Sequence, residues 1–219
     1  MSTRLRAVTA TFSVILFAFT MSAGPAVATV FAAAPAPAAD IEGARWYRQC
    51  MQLTDVDPQQ ALQRAEEQFS DDDGVPAGHC AAVALVRLER FAAGATRFEE
   101  LAGKTDRPDL RAALLDQAAG AWLLAGNGER AIRLLQTAVE IAPKDAHLRI
   151  DKAAAEAELG HYDRAADELD QAIALDPAIP DAYALRASAR RRLNQIDAAA
   201  ADPGHTWVQR ERKNVNRVG

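Results

Sequence analysis

Aromatic residues make up only 6% of the 219-residue chain, and cysteine occurs twice. Two cysteines are too few for a disulfide-built miniprotein or a four-cysteine zinc site. The scarcity of aromatic and β-branched runs argues against a sheet core. Positive charge is also in deficit: 25 Lys and Arg stand against 30 Asp and Glu, a formal charge of −5. A nucleic-acid binder needs a basic footprint, so no nucleic-acid partner is expected. The excess is in alanine, which fills 50 positions. Alanine is the best helix former, and its small side chain lets helices pack closely, so the fold class is all-α.

The N-terminus has a different character. Arg4 and Arg6 form a short positive start, and residues 7–23 follow without a charge, including Phe12, Val14, Ile15, Leu16, Phe17 and Phe19. Gly24-Pro25 and the small triplet Ala26-Val27-Ala28 come next. This is the order of a secretory signal peptide over residues 1–28, with Ala34 or Ala39 as other cleavage points. The alternative is an uncleaved anchor, for which a stretch of about 17 residues is at the lower limit of bilayer-spanning length. Cys50 follows Tyr47-Arg48-Gln49 rather than small apolar residues, so no lipid attachment is expected. Residues 29–40 form an Ala/Pro-rich linker. Cleavage would leave 23 basic and 30 acidic residues, a charge of −7, in a periplasmic or secreted protein with no membrane contact.

The remainder repeats. Gly126-Asn127-Gly128-Glu129-Arg130-Ala131 aligns with Gly160-His161-Tyr162-Asp163-Arg164-Ala165 at an offset of 34. The same offset carries Ala138 to Ala172, Pro143 to Pro177 and Leu159 to Leu193. Each period reads as two helices, with glycine at the turn to accept a left-handed conformation and proline stopping the second helix. In the second helix of the clearest unit, Ala165, Leu169, Ala172 and Ile173 share one face, Glu168 points outward, and Asp163 is placed to cap. Backwards, Leu88-Glu89-Arg90-Phe91 matches Leu159-Gly160-His161-Tyr162, which sets helices at 77–89 and 92–103 with Phe98 and Leu101 inward. Helices at 41–53 and 58–69 make a degenerate first unit, with Asp57 capping ahead of Pro58. The repeat domain spans 41–203, clearest over 112–145 and 146–179 and partial over 180–203, where Pro203 cuts the last helix short. Residues 204–219 form a basic helix or tail.

A 34-residue helix pair with small residues at Ala119, Ala153 and Ala187, the turn Gly160-His161-Tyr162 and the pairs Ala131/Ala138 and Ala165/Ala172 resembles the tetratricopeptide repeat, here of an exported bacterial type. The resemblance implies a right-handed solenoid of antiparallel helix pairs, about four units long, that binds other proteins without a cofactor. It places His79, Val83, Val86, Asp116, Gly120, Leu123, Leu124, His147, Ile150, Ala154, Glu158, Ser188, Arg191 and Arg192 on the concave face formed by the first helices. Some members clamp a C-terminal carboxylate there with Lys and Asn. This chain has Asp116, Ile150 and Ala184, then Gly120, Ala154 and Ser188, at those positions, so the clamp is absent. A small-residue floor with Leu123, Leu124 and Ile150 as anchors suits an extended or helical segment of another protein. The rival readings are an accessory subunit held in a membrane complex by an uncleaved N-terminal helix, and an envelope enzyme.

Little else suggests chemistry. Cys50 and Cys80 sit on first helices of adjacent units. An oxidising compartment favours pairing, whereas repeat register sets them about 7 Å apart along the axis, which leaves two buried thiols as the alternative. His79 and Cys80 diverge by about 100° around a helix, which is wrong for a nucleophile pair. Asp71-Asp72-Asp73-Gly74 lacks the first ligand and the closing Glu of a calcium loop. Arg190, Arg191, Arg192, Arg210, Arg212, Lys213 and Arg217 make the C-terminal third basic, either as a solvated face or as a patch for an acidic partner or a membrane surface.

Overall fold

The computed structural model describes residues 38–68 and 75–202. The expected signal peptide, residues 29–37 of the linker, the Asp71-Asp72-Asp73 turn and the segment 204–219 lie outside the described residues. Ten helices follow in order: α1 (Ala38–Val56), α2 (Pro58–Gln68), α3 (Val75–Arg87), α4 (Phe91–Lys104), α5 (Pro108–Leu124), α6 (Gly128–Ile141), α7 (Ala146–Glu158), α8 (Tyr162–Leu175), α9 (Pro180–Arg192) and α10 (Ile196–Ala201). Each odd-numbered helix packs antiparallel on the even-numbered helix after it, and each even-numbered helix packs on the next pair, so a continuous solenoid results. Four pairs are full length, and the fifth ends in the six-residue α10. Helix α1 begins three residues before the expected start and takes in the end of the linker.

The regularity comes from one turn built four times. Gly126 (φ +76°) and Gly160 (φ +81°) take the left-handed conformation after α5 and α7. The amide of Asn127 donates to the Trp122 carbonyl at 2.8 Å and that of Gly126 to Leu123 at 2.9 Å, which closes the α5 terminus. His161 to Glu156, Arg90 to Leu85 and Gln195 to Arg190 repeat the longer bond at 2.9 Å in each case. In the outer two copies the left-handed residue is Glu89 (φ 58°) or Asn194 (φ 59°) rather than glycine.

Alanines make the helix crossings. Ala119, Ala153 and Ala187 are buried, with Leu135 and Leu169 filling the space behind them. Gly94 occupies the register of Ala131 and Ala165 because α4 lies closer to α3 there: a Cβ would sit 2.7 Å from Val86 Cγ2 and 3.0 Å from the Ala82 carbonyl. Asp57 Oδ1 accepts from the Gln60 amide at 2.9 Å, capping α2 as expected. Asp163 does not cap α8. His161 holds the cap position, and Asp163 falls in the first turn, where its charge still suits the helix N-terminus. Glu168 is also not outward: its carboxylate accepts from Arg149 at 2.9 Å and Lys152 at 2.6 Å, and all three side chains are largely buried.

Polar ties cross from unit to unit in a fixed register. Glu99 accepts from Trp122 Nε1 at 2.5 Å and Arg130 at 3.0 Å, and the Arg130 guanidinium stacks 4.3 Å from the Trp122 ring centroid. One unit on, Gln136 accepts from Lys152 at 2.5 Å. In the next unit Asp170 accepts from Arg186 and Arg190. Cys50 and Cys80 form a disulfide with a Cα separation of 6.2 Å, tying α1 to α3. The degenerate first unit is shifted relative to repeat register, which removes the offset expected from the regular period.

Candidate functional site

The odd-numbered helices lie side by side and share one face. Contacts between their side chains define it: Tyr47 on α1 meets His79 on α3, His79 meets Gln117 on α5, and Asp116 on α5 meets Asp151 on α7.

At the α1 end, His79 is half-buried and engaged at both ring nitrogens. Nδ1 lies 3.0 Å from the Tyr47 hydroxyl and Nε2 lies 2.8 Å from Gln117 Oε1. The ring also meets Tyr47 and Phe98 edge-on, with centroids 5.8 and 5.5 Å away. Burial lowers the His79 pKa below its ordinary value, against a raising pull from Gln117. A neutral ring that accepts from Tyr47 and donates to Gln117 satisfies all three groups. His79 is therefore a bridge across three helices.

The middle of the face is acidic. The Asp116 carboxyl is pushed up to about 6, first by burial and then by the charges of Asp151 and Asp145. Burial also raises Asp151, while the His147 ring works in the opposite direction. Two carboxyls that share a site hold a proton more tightly than either alone. His147 is exposed beside them, and its backbone amide donates to Asp145 Oδ1 at 2.9 Å, capping α7.

The floor is small and open. Gly120 is exposed, with nothing within 4 Å of where a Cβ would stand. Ala154 is half-buried and Ser188 exposed in the equivalent places on α7 and α9. Leu124 is 59% exposed at the end of α5, and Glu158 and Arg192 are exposed at the same register on α7 and α9. Arg191 is exposed too, and the Arg192 guanidinium lies 5.7 Å from the Tyr162 ring centroid.

Several expected groove residues stand elsewhere. Ile150 is 8% exposed and packs with Ala146, Ala153, Leu169 and Ala182 in the core, so it is no free anchor. Leu123 is half-buried against the Trp122–Ile132 cluster, and Val83 and Val86 also pack against core. A branched side chain one helical position from the open face is drawn into the neighbouring crossing, where more apolar area is covered. Arg190 belongs to an ion cluster: with Arg186 it donates to Asp202, whose carboxylate is 1% exposed, and to Asp170. Conversely, Tyr47, Gln117, Asp151 and Leu185 lie on or beside the face although the repeat register did not select them. Gln117, Asp151 and Leu185 each stand one residue after the register-read positions Asp116, Ile150 and Ala184, and Tyr47 lies in the degenerate unit.

Among the described residues, no three His, Cys, Asp or Glu side chains gather as a metal site, and no helix is long and apolar enough to cross a membrane. Residues 123–189 match the tetratricopeptide repeat family. The exposed Leu124 and the column Ala154–Ser188 fall inside the matched range. A protein described as an SGT1 homolog from Oryza sativa subsp. japonica is 34% identical over 87 residues, 40% of this chain and 24% of that protein. The chain thus spans about a quarter of that relative's length. The solved MamA fragment 41-end from Desulfovibrio magneticus RS-1 superposes with a TM-score of 0.62 at 19% identity, covering 79% of this chain and 97% of that one. The MamA RS-1 ArsTM double mutant gives 0.63 at 18% identity, covering 79% and 98%. At such identity the likeness concerns the fold alone: a solenoid of antiparallel helix pairs.

Proposed function

We propose that this chain is a non-enzymatic protein-interaction scaffold of the cell envelope, which holds an extended or helical segment of another protein against the face of α3, α5, α7 and α9. The observation that carries this reading is the pairing of an exposed leucine with an open floor: Leu124 stands 59% exposed, and the space over Gly120 is free. Apolar anchors supply affinity, while nearby charges such as Asp116, Glu158 and Arg192 choose direction and partner. Export is supported by Arg4, Arg6, the uncharged run over 7–23 and Ala26-Val27-Ala28. The Cys50–Cys80 disulfide fits an oxidising compartment.

Two measurements test the reading. Leu124→Glu places a charge at an exposed position and should change stability by no more than about 0.5 kcal/mol. Affinity capture from envelope extract should then lose the main partner. A variant with wild-type melting temperature and wild-type capture would overturn the groove. Mass spectrometry of the envelope form should find a new N-terminus between residues 29 and 40, and an intact Met1 would overturn cleavage.

A further inference from the structure

We propose that the basic segment 204–219 of this same chain occupies the groove until a partner displaces it. The inference rests on the groove reading and adds its regulation. Three observations carry it.

The first is charge. The central groove presents Asp116, Asp151 and Glu158, with Asp145 and Asp181 at the helix starts. Segment 204–219 carries Arg210, Arg212, Lys213 and Arg217 against the single acid Glu211. It also holds Trp207, Val208 and Val215, which suit the exposed Leu124 and the 36%-exposed Leu185. Each side therefore offers apolar groups flanked by charge, with opposite sign.

The second is the tether. Asp202 is pinned against α9, because its buried carboxylate accepts from both Arg186 and Arg190. The chain thus reaches residue 203 from a fixed point on α9, at the ion cluster shared with α8. From Asp202 an extended chain of 17 residues reaches on the order of 55 Å. Helices α7 and α5 lie one and two helix spacings from α9, about 10 and 20 Å. A tether of this length gives a local concentration in the millimolar range, far above that of a second copy in dilute solution.

The third is repulsion at the near end. Arg191 and Arg192 are exposed at the end of α9, where the groove would otherwise be entered first. Like charge there directs the basic segment onward to α7 and α5, where the carboxylates lie.

Zero-length carbodiimide coupling of the full chain at low micromolar concentration tests this directly. Lys213 is the one lysine in residues 203–219. Mass spectrometry should find an amide link from Lys213 to Asp116, Asp151 or Glu158 in the monomer band. The link should fall at least fivefold in the double variant Arg210→Glu/Arg212→Glu, whose changes lie outside helices α1 to α10. Links from Lys213 to Asp170 or Asp176 alone, or no link at all, would overturn the proposal. A groove link confined to the dimer band would overturn it in favour of a second copy. Because the readout needs no partner, a failed link leaves the Leu124→Glu capture test standing. A groove link together with unchanged capture by Leu124→Glu would instead sink the partner-binding reading alone.

Discussion

A half-buried carboxyl beside a second carboxyl, as Asp116 is beside Asp151, loses its proton only at about pH 6. The unfolded chain releases that proton near pH 4. Between these values the native state binds more protons than the unfolded state, so stability falls as pH rises through the window and the penalty is complete above it. Asp145 and Asp151 face this carboxyl, and His147 acts on Asp151. Asp116→Asn should remove most of the decline. It should leave stability near wild type at pH 4 and raise it by about 1–2 kcal/mol at pH 7.5, a figure reduced for the exposed part of the side chain. Urea unfolding at the two pH values measures this, and parallel pH profiles for both proteins would count against the shared proton. Glu89 is a second residue under strain. It holds φ 58° where Gly126 and Gly160 hold the same turn. Glu89→Gly should stabilise the chain by about 0.5–1 kcal/mol, since the left-handed penalty of an L-residue exceeds the added chain entropy. A lower melting temperature would show that the Glu89 side chain has a role beyond the turn.

Among the elements, the first pair depends most on a covalent link. In helix α1 Cys50 is the apolar residue that is fully buried, packed with Ala61, Leu62, Ala81 and Leu85, while Trp46, Met51 and Leu53 are half-buried against the same cluster. The disulfide closes a loop of 30 residues. Cys50→Ser with Cys80→Ser should cost about 2–4 kcal/mol. In a solenoid each unit touches only its neighbours, so the loss should fall on α1 and α2. Hydrogen exchange would accelerate there and leave α5–α8 unchanged. Uniform acceleration would mean that the first pair nucleates the whole array.

At the scale of the molecule, the two ends are secured in different ways. The α1 end uses the disulfide, and the other end uses ions. Arg186 and Arg190 hold the Asp202 carboxylate and Asp170 together across α8, α9 and the exit of α10. Arg186→Ala would leave a buried carboxylate with one partner, a change that costs about 3–5 kcal/mol. That exceeds what six-residue α10 can hold, so α10 should detach from α9. Proteolysis near Ile196 should accelerate at least tenfold while the main unfolding transition shifts little. Protection equal to wild type would argue that apolar packing of Ala199 alone retains the helix.

Much of this architecture was legible in the chain itself. Helix pairs, turn positions and the small residues at crossings follow from local rules. Alanine spacing at Ala119, Ala153 and Ala187 and left-handed glycine at Gly126 and Gly160 act within a few residues of chain. Even Glu89 and Asn194 could be placed by alignment, because the turn's hydrogen bonds are backbone bonds and do not depend on the side chain. The groove was legible only as a set of positions. Repeat register states which residues sit in equivalent places, but not by how much one helix is rotated against the next. That rotation set Ile150 into the core, brought Asp151 rather than a register-matched residue against Asp116, and put Gln117 on His79. The pairing of Cys50 with Cys80 and the burial of Asp202 depend in the same way on where separate elements come to rest. Sequence determined the units, because each unit is held by contacts close along the chain. Tertiary structure decided which side chains are free to bind, because exposure is fixed by the neighbouring unit.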